Sequence, residues 1–327
     1  MGQLAEGYRL QGISPKAYEH PADRAATAAL GAIPHLDTVV RKLIELGYER
    51  ALRQSLLGAS VRLGEDQLPE LWRAHLRAYK TLDIDPAPEL YLTTAPYPNA
   101  MTVGAGRPMV VLQSALVGLL DEDGHAAVLA HEAGHVLSDH VLYRTALLIL
   151  LSIGGAARLP VGLMPVRAAL LEWHRASELS CDRAAALATR DPLALCRALM
   201  VIAGGAEAQR LDLDAFMRQG TDYREKGNIL ERLSRLSLDI GLTHGLPVKR
   251  VHELMEWVRS GEYDRIIGGE YQRRDEPVDP REHAADAAAH YGERFAGFFK
   301  DTGESAQQAM DQLAEWLKRR AGGEEDD

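Results

Sequence analysis

The sequence predicts an α+β fold, mostly helical, with a small sheet of three or so short strands. Three observations predict it. Long stretches place apolar residues at helical spacing. One interior segment, DPAPELYLTTAPYPNAMTVGAGRPMVVLQ, breaks into three β-rich runs separated by Pro and Gly. No internal repeat divides the 327 residues, a length that one or two domains account for.

The elements follow in order. Residues 21–57 read as helices: PADRAATAALGAIP is Ala-rich and stops at Pro34, and HLDTVVRKLIELGYERALRQSLL continues at helical spacing. Residues 67–80, QLPELWRAHLRAYK, form another amphipathic helix. The strands are ELYLTT, AMTVG and MVVLQ. Ser114 is placed to cap a short helix, ALVGLL. Asp121, Glu122 and Asp123 suit the positive end of the next helix, which carries HEAGH at 131–135. Residues 168–190 form a long helix ended by Asp191-Pro192, and helices follow at 193–204 and 250–259. The tail from about 281 is helical in pattern but charged, and its end, AGGEEDD, is expected to be disordered.

Charge and cysteine usage bound the function. With 37 basic against 47 acidic residues the net charge is −10, which argues against a nucleic-acid or anionic-membrane partner selected by bulk charge. Cys181 and Cys196 have no metal-ligand spacing and make no disulfide framework. The N-terminal MGQLAEGYRLQGISPKAYEH lacks the charged-then-apolar pattern of a secretion signal. The expected compartment is a reducing cytoplasm, with a peripheral position at the inner face of the membrane as the alternative.

The chemistry concentrates in HEAGH. Residues four apart on an α-helix share a face, so His131 and His135 can aim both imidazoles at one ion, and zinc accepts nitrogen donors in a tetrahedral site. Glu132 is placed to take a proton from water at that ion. The plain alternative is a chance pattern with packed or solvated histidines. A third ligand has two candidates. His140, five residues past His135, is rotated about 140° off the ligand face, which suits a surface or supporting histidine. Glu178, in RASELSCDRAAAL, is the better one: a carboxylate from a second helix completes a His, His, Glu set and leaves one position open. Asp182, one turn on, can accept the outer N–H of a ligand histidine. Taken alone, E-x-x-x-D also fits a solvated surface helix paired with Arg175 and Arg183.

HEAGH followed by ELSCD resembles the HtpX-like and CAAX prenyl endopeptidase family of gluzincin metallopeptidases. The segment ELYLTTAPYPNAMTVGAGRPMVVLQSALVGLLDEDGHAAVLAHEAGH is similar to that family's strands and active-site helix in order, and THGLPVKRVHEL is similar to its T-H-P-x-x-x-x-R segment. The resemblance implies a zincin-like fold over residues 35–265, with an N-terminal helical segment at 1–34 and an accessory, partly helical tail at 266–327. It implies one zinc ion per chain held by His131, His135 and Glu178, with Glu132 as general base and Asp182 as supporting partner. His244 then stands near the oxyanion, and Arg250 supports oxyanion or substrate. Two departures stand out: Gly245 replaces the usual Pro, and Cys181 replaces the commoner Ala, as a buried packing residue or a stray ligand.

The implied reaction is hydrolysis of peptide bonds in a protein or peptide substrate. The substrate would lie extended against the strand at Asn99, Ala100 and Met101, since peptide backbones dock on sheet edges. A low-turnover polypeptide-binding chaperone or adaptor is the second reading, and a helical interaction protein with accidental motifs the third. The complete ligand set together with Glu132 argues against the second, and a metal analysis showing no zinc would favour the third. CAAX processing is not implied, because family membership does not fix the substrate.

Between the motifs, the uncharged run from Thr145 to Ala157 has 13 residues, against roughly 20 for a membrane span. A buried core helix is the leading expectation for 145–166. A shallow membrane contact or a homo-oligomer contact is the alternative.

Overall fold

The computed structural model describes residues 7–31, 49–104, 106–153, 164–225 and 245–277. Among them, the helices and strands run α1 (Pro21–Gly31), α2 (Glu49–Ala59), β1 (Val61–Arg62), α3 (Pro69–Thr81), β2 (Glu89–Thr93), β3 (Ala100–Val103), β4 (Met109–Gln113), α4 (Ser114–Leu119), α5 (Glu122–Leu137), α6 (Val141–Ile153), α7 (Met164–Thr189), α8 (Pro192–Gly204), α9 (Leu213–Glu225), α10 (Pro247–Arg259) and α11 (Glu262–Ile267). The α+β expectation holds: the described residues are mostly helical with one small sheet.

The sheet has four strands in the order β1-β2-β4-β3, one more than the patterns predict. The added strand, Val61–Arg62, is two residues long and too short to show alternation. β4 is buried at every position, as expected for a central strand covered on both faces. It pairs parallel with β2 and antiparallel with β3. Its side chains alternate between two cores. Val110 and Leu112 join the main core with Leu90 and Ala100. Met109 and Val111 join a smaller cluster with Tyr91 and Val103, covered by Leu52 and Leu56 of α2. The register pairs Thr102 with Val110, so Thr102 faces the main core and the helices behind it.

α5 opens as the sequence indicates. Asp121 Oδ1 accepts from the Gly124 N–H at 2.8 Å, and Glu122 and Asp123 occupy the positive first turn. From Ala127 to His135 every residue of α5 is buried. Gly134 sets how close α7 can come: a Cβ there would meet Ala184 Cβ at 2.9 Å and Cys181 Cα at 3.2 Å. α8 likewise starts on Asp191, whose Oδ1 accepts from Leu193 N at 2.9 Å, with Pro192 in the first turn. Ser114 differs from expectation. It is the first helical residue of α4, Gln113 holds the cap position, and no side chain caps that end.

The N-terminal segment is woven into the same body. Leu10, Ile13 and Tyr18 belong to the main core with Leu71 and Leu254. Leu10 N donates to Thr81 O, and Ser14 N to Gln272 O. α6, the first part of the apolar insert, buries Tyr143, Ala146, Leu147 and Leu150. No described helix is long and apolar enough to cross a membrane. Residues 154–163, His244 and the tail from 278 lie outside the described residues.

Candidate metal centre

The site forms where α5 crosses α7. His131 and His135 stand one turn apart on α5, with ring centroids 5.0 Å apart and nearly perpendicular. Glu178 and Asp182 stand one turn apart on α7. Far from being solvated, both carboxylates are buried, at 0% and 1% exposure.

Asp182 Oδ1 lies 3.0 Å from His131 Nδ1, which turns Nε2 of that ring toward Glu178 Oε2 at 3.5 Å. Glu178 Oε1 lies 3.2 Å from His135 Nε2. That approach does not have hydrogen-bond geometry, and His135 Nε2, fully buried, has no hydrogen-bond partner among the described residues. Such an orphan is costly unless something else occupies its lone pair. Ligand atoms bound to zinc at about 2.0–2.2 Å with tetrahedral angles sit roughly 3.3–3.6 Å from one another. The separation at His131, 3.5 Å, falls in that range and the one at His135, 3.2 Å, just below it, each to a different oxygen of Glu178; the two rings and the carboxylate converge closely enough to fit one zinc ion.

Cys181 also comes near: its sulfur and one nitrogen of each of the two rings lie within 4.8 Å of one another. It also sits beside His140, the histidine behind His135. Its Sγ is 3.5 Å from His140 Nδ1, and that nitrogen is 3.3 Å from His135 Nδ1. Burial pushes the Cys181 thiol well above its ordinary pKa, so in the metal-free protein it keeps its proton. Both Nε2 atoms face the Glu178 carboxylate.

Arg250 donates from Nε to Asp182 Oδ2 at 2.8 Å and from Nη2 to Oδ1 at 2.5 Å, and its Nη1 lies 3.0 Å from Glu178 Oε2. Burial would raise the Asp182 carboxyl, but the Arg250 charge and these hydrogen bonds hold it below the usual range. Burial would lower His131; the Glu178 charge and the bonds to Asp182 and Glu178 outweigh that and hold it up at about 9, so in the metal-free protein this ring carries a proton that a metal would displace. Burial, reinforced by the positive Arg144, keeps His135 neutral, the form a metal ligand needs.

Glu132 is 1% exposed. Its Oε2 accepts from Thr102 Oγ1 at 2.7 Å and from Arg144 Nη1 at 3.1 Å. Sequence reasoning missed both partners, using Arg144 only as the boundary of the apolar run. The available signal was an arginine inside the otherwise apolar VLYRTALLILLSI, since a buried charge must be paired. It also missed His174, one turn before Glu178, whose Nε2 lies 3.6 Å from Glu178 Oε1.

His140 is not a surface histidine. α5 ends at Leu137, Asp139 takes a left-handed conformation with φ of 55°, and His140 swings behind His135 instead of continuing around the helix. Asn99, Ala100 and Met101 lie at and in β3, an outer strand of the sheet, with Ala100 buried and Met101 partly buried. Asn99 Oδ1 accepts from the Ala100 N–H at 2.9 Å.

Residues 66–258 match Peptidase family M48. The chain is 36% identical over 258 residues to the plastoglobule-localized metallopeptidase 48, chloroplastic, of Arabidopsis thaliana, covering 76% of this chain and 74% of that protein. It is 27% and 28% identical over 181 residues to the protease HtpX homologs of two Tropheryma whipplei strains, Twist and TW08/27, covering 46% of this chain and 62% of each relative. No solved structure matches.

Proposed function

The chain belongs to peptidase family M48, and on that premise we propose that it is a zinc-dependent endopeptidase in which Glu132 is the general base. The observation that carries the reading is the approach of His131 Nε2 and His135 Nε2 to the two oxygens of one buried carboxylate, Glu178. One zinc ion per chain would be held by these three side chains, leaving one of four tetrahedral positions for chemistry. When bound, zinc supplies the Lewis acidity that makes water nucleophilic near neutral pH and polarises a peptide carbonyl.

Glu132 takes the water's proton and later delivers it to the leaving amine. Its described bonds, from Thr102 and Arg144, both fall on Oε2, which leaves Oε1 for the proton. Asp182 fixes the tautomer of His131 by accepting at Nδ1. Arg250, given by the resemblance as an oxyanion or substrate support, is better assigned to holding Asp182 and Glu178, because each of its three nitrogens contacts one of those carboxylates. His244 keeps the role that the resemblance implies, a donor near the developing oxyanion; such a donor is typically worth about 3 kcal/mol. The substrate lies extended along β3 at Asn99, Ala100 and Met101, an outer strand on which a backbone can add. The proposed setting is the cytoplasm, and the two free, buried cysteines suit a reducing compartment.

The test is cleavage of unfolded casein by the zinc-loaded protein, abolished by a chelator. Glu132→Gln is expected to keep stoichiometric zinc and lose at least about 100-fold in rate. Wild-type turnover by Glu132→Gln, or no turnover by the zinc-loaded wild type, overturns the mechanism.

A further inference from the structure

If His135 binds zinc through Nε2, its remaining hydrogen sits on Nδ1, and ligand histidines hand that hydrogen to a partner. The inference below rests on that reading. For His131 the partner is Asp182, inside the family-matching region. For His135 it is His140 Nδ1, 3.3 Å away. Only the neutral tautomer of His140 with hydrogen on Nε2 can accept there. That Nε2 lies 3.0 Å from Asp23 Oδ2. Asp23 belongs to α1, well outside residues 66–258.

We propose that Asp23 is a positioning residue for the metal centre, orienting the zinc ligand His135 through His140, so that the N-terminal helix is part of the site. The chain of donors runs one way: His135 Nδ1–H to His140 Nδ1, and His140 Nε2–H to Asp23. All three side chains are buried, at 0%, 2% and 1% exposure. The carboxylate at the far end is itself fixed. Ser180 donates to Asp23 Oδ2 at 2.5 Å and Thr27 to Oδ1 at 3.2 Å. Ser180 in turn accepts from the His20 N–H, and Thr27 from Trp173 Nε1. Cys181, 3.5 Å from His140 Nδ1, adds a weak S–H donor to the same accepting nitrogen. The two histidine ligands thus have matched supports, Asp182 directly and Asp23 by relay.

The experiment is zinc affinity measured by competition with a chromogenic chelator, on the full chain. Asp23→Ala and His140→Phe are each expected to bind zinc on the order of 10- to 100-fold more weakly. The double variant is expected to be no weaker than the worse single, since both act through one path. Asp23→Asn, which keeps an acceptor for His140, should recover most of the loss. Leu30→Ala, a core change elsewhere on α1 at a fully buried site, should lower the melting temperature and leave zinc affinity unchanged. Wild-type affinity in Asp23→Ala, additive losses in the double variant, or an equal loss in Leu30→Ala overturns the relay while leaving the zinc assignment standing. A wild type that binds no zinc overturns both.

Discussion

The hydroxyl of Thr102 donates to Glu132 Oε2 at 2.7 Å, so an outer strand of the sheet is tied directly to the side chain that would move the proton. Thr102 faces Glu132 because its partner in the register, Val110, faces the main core, and side chains alternate along β3. Met101 and Val103 pack with the cluster on the other face. A substrate backbone added to β3 would therefore lie on the strand that also holds Glu132.

This coupling predicts the behaviour of Thr102→Val, which keeps shape and removes the hydroxyl. A hydrogen bond to a charged group is worth about 1.5–3 kcal/mol, so kcat should fall on the order of 10-fold or more. KM and zinc content should change little, and Thr102→Ser should restore most of the rate. Steady-state kinetics on a fluorogenic peptide, with zinc analysis of the same samples, checks it. A rise in KM alone would mean that Thr102 serves substrate binding and not the base.

Glu178 and Cys181 compete on paper for the third ligand position, and the two make opposite predictions. Glu178→Ala should abolish stoichiometric zinc, because the carboxylate faces both Nε2 atoms. Cys181→Ala should retain it, because the sulfur neighbours His140 Nδ1, the atom that faces His135 Nδ1. Elemental analysis of the two purified variants decides the assignment.

How much of this was legible beforehand follows from the range of each interaction. HEAGH and ELSCD could be read because one helical turn sets the spacing within each motif, and helix periodicity is local. MVVLQ, Asp121 and Asp191-Pro192 were legible for the same reason. The contacts Thr102–Glu132, Arg144–Glu132 and Asp23–His140 were not, because each joins separate elements whose crossing no local pattern encodes. α9 escaped notice because Gly220 sits inside it, and glycine argues against a helix. In the fold that glycine is required: a Cβ there would meet Val248 O at 2.9 Å and His252 Cβ at 3.2 Å.

Gly134 makes a related prediction in the metal centre. Alanine at a helical glycine ordinarily gains up to about 1 kcal/mol. At this position the new Cβ would meet Ala184 Cβ at 2.9 Å and Cys181 Cα at 3.2 Å, atoms with no flexible end to yield. Overpacking of that kind costs about 1–3 kcal/mol. Gly134→Ala should therefore destabilise the metal-free protein by about 1 kcal/mol net. It should also weaken zinc binding, since pushing α5 off α7 separates His135 from Glu178. Urea melts and chelator competition measure the two effects. A stabilised variant with unchanged zinc affinity would show that the helices part easily.

His75 predicts a pH dependence that does not involve the metal. Its ring is fully buried, stacked on Trp72 with centroids 5.4 Å apart and packed at a tilt against Tyr79 at 4.6 Å. Nε2 donates to the Pro88 carbonyl at 2.8 Å, and Nδ1 has no partner among the described residues. Burial pushes its pKa down to about 4, against the opposing pull of the Pro88 carbonyl, from 6.5. Between those values the unfolded chain binds the proton that the folded chain refuses, so this contribution is complete above pH 6.5 and is lost as pH falls toward 4. The gap is worth about 3 kcal/mol, of which about 2 disappears between pH 7 and pH 5. His75→Phe keeps an aromatic ring and removes the titration. It should be less stable than wild type at pH 7, because the Pro88 carbonyl loses its donor, yet lose about 2 kcal/mol less on going to pH 5. Urea denaturation of the metal-free proteins at the two pH values gives that difference directly, and equal losses in both proteins would locate the acid sensitivity elsewhere.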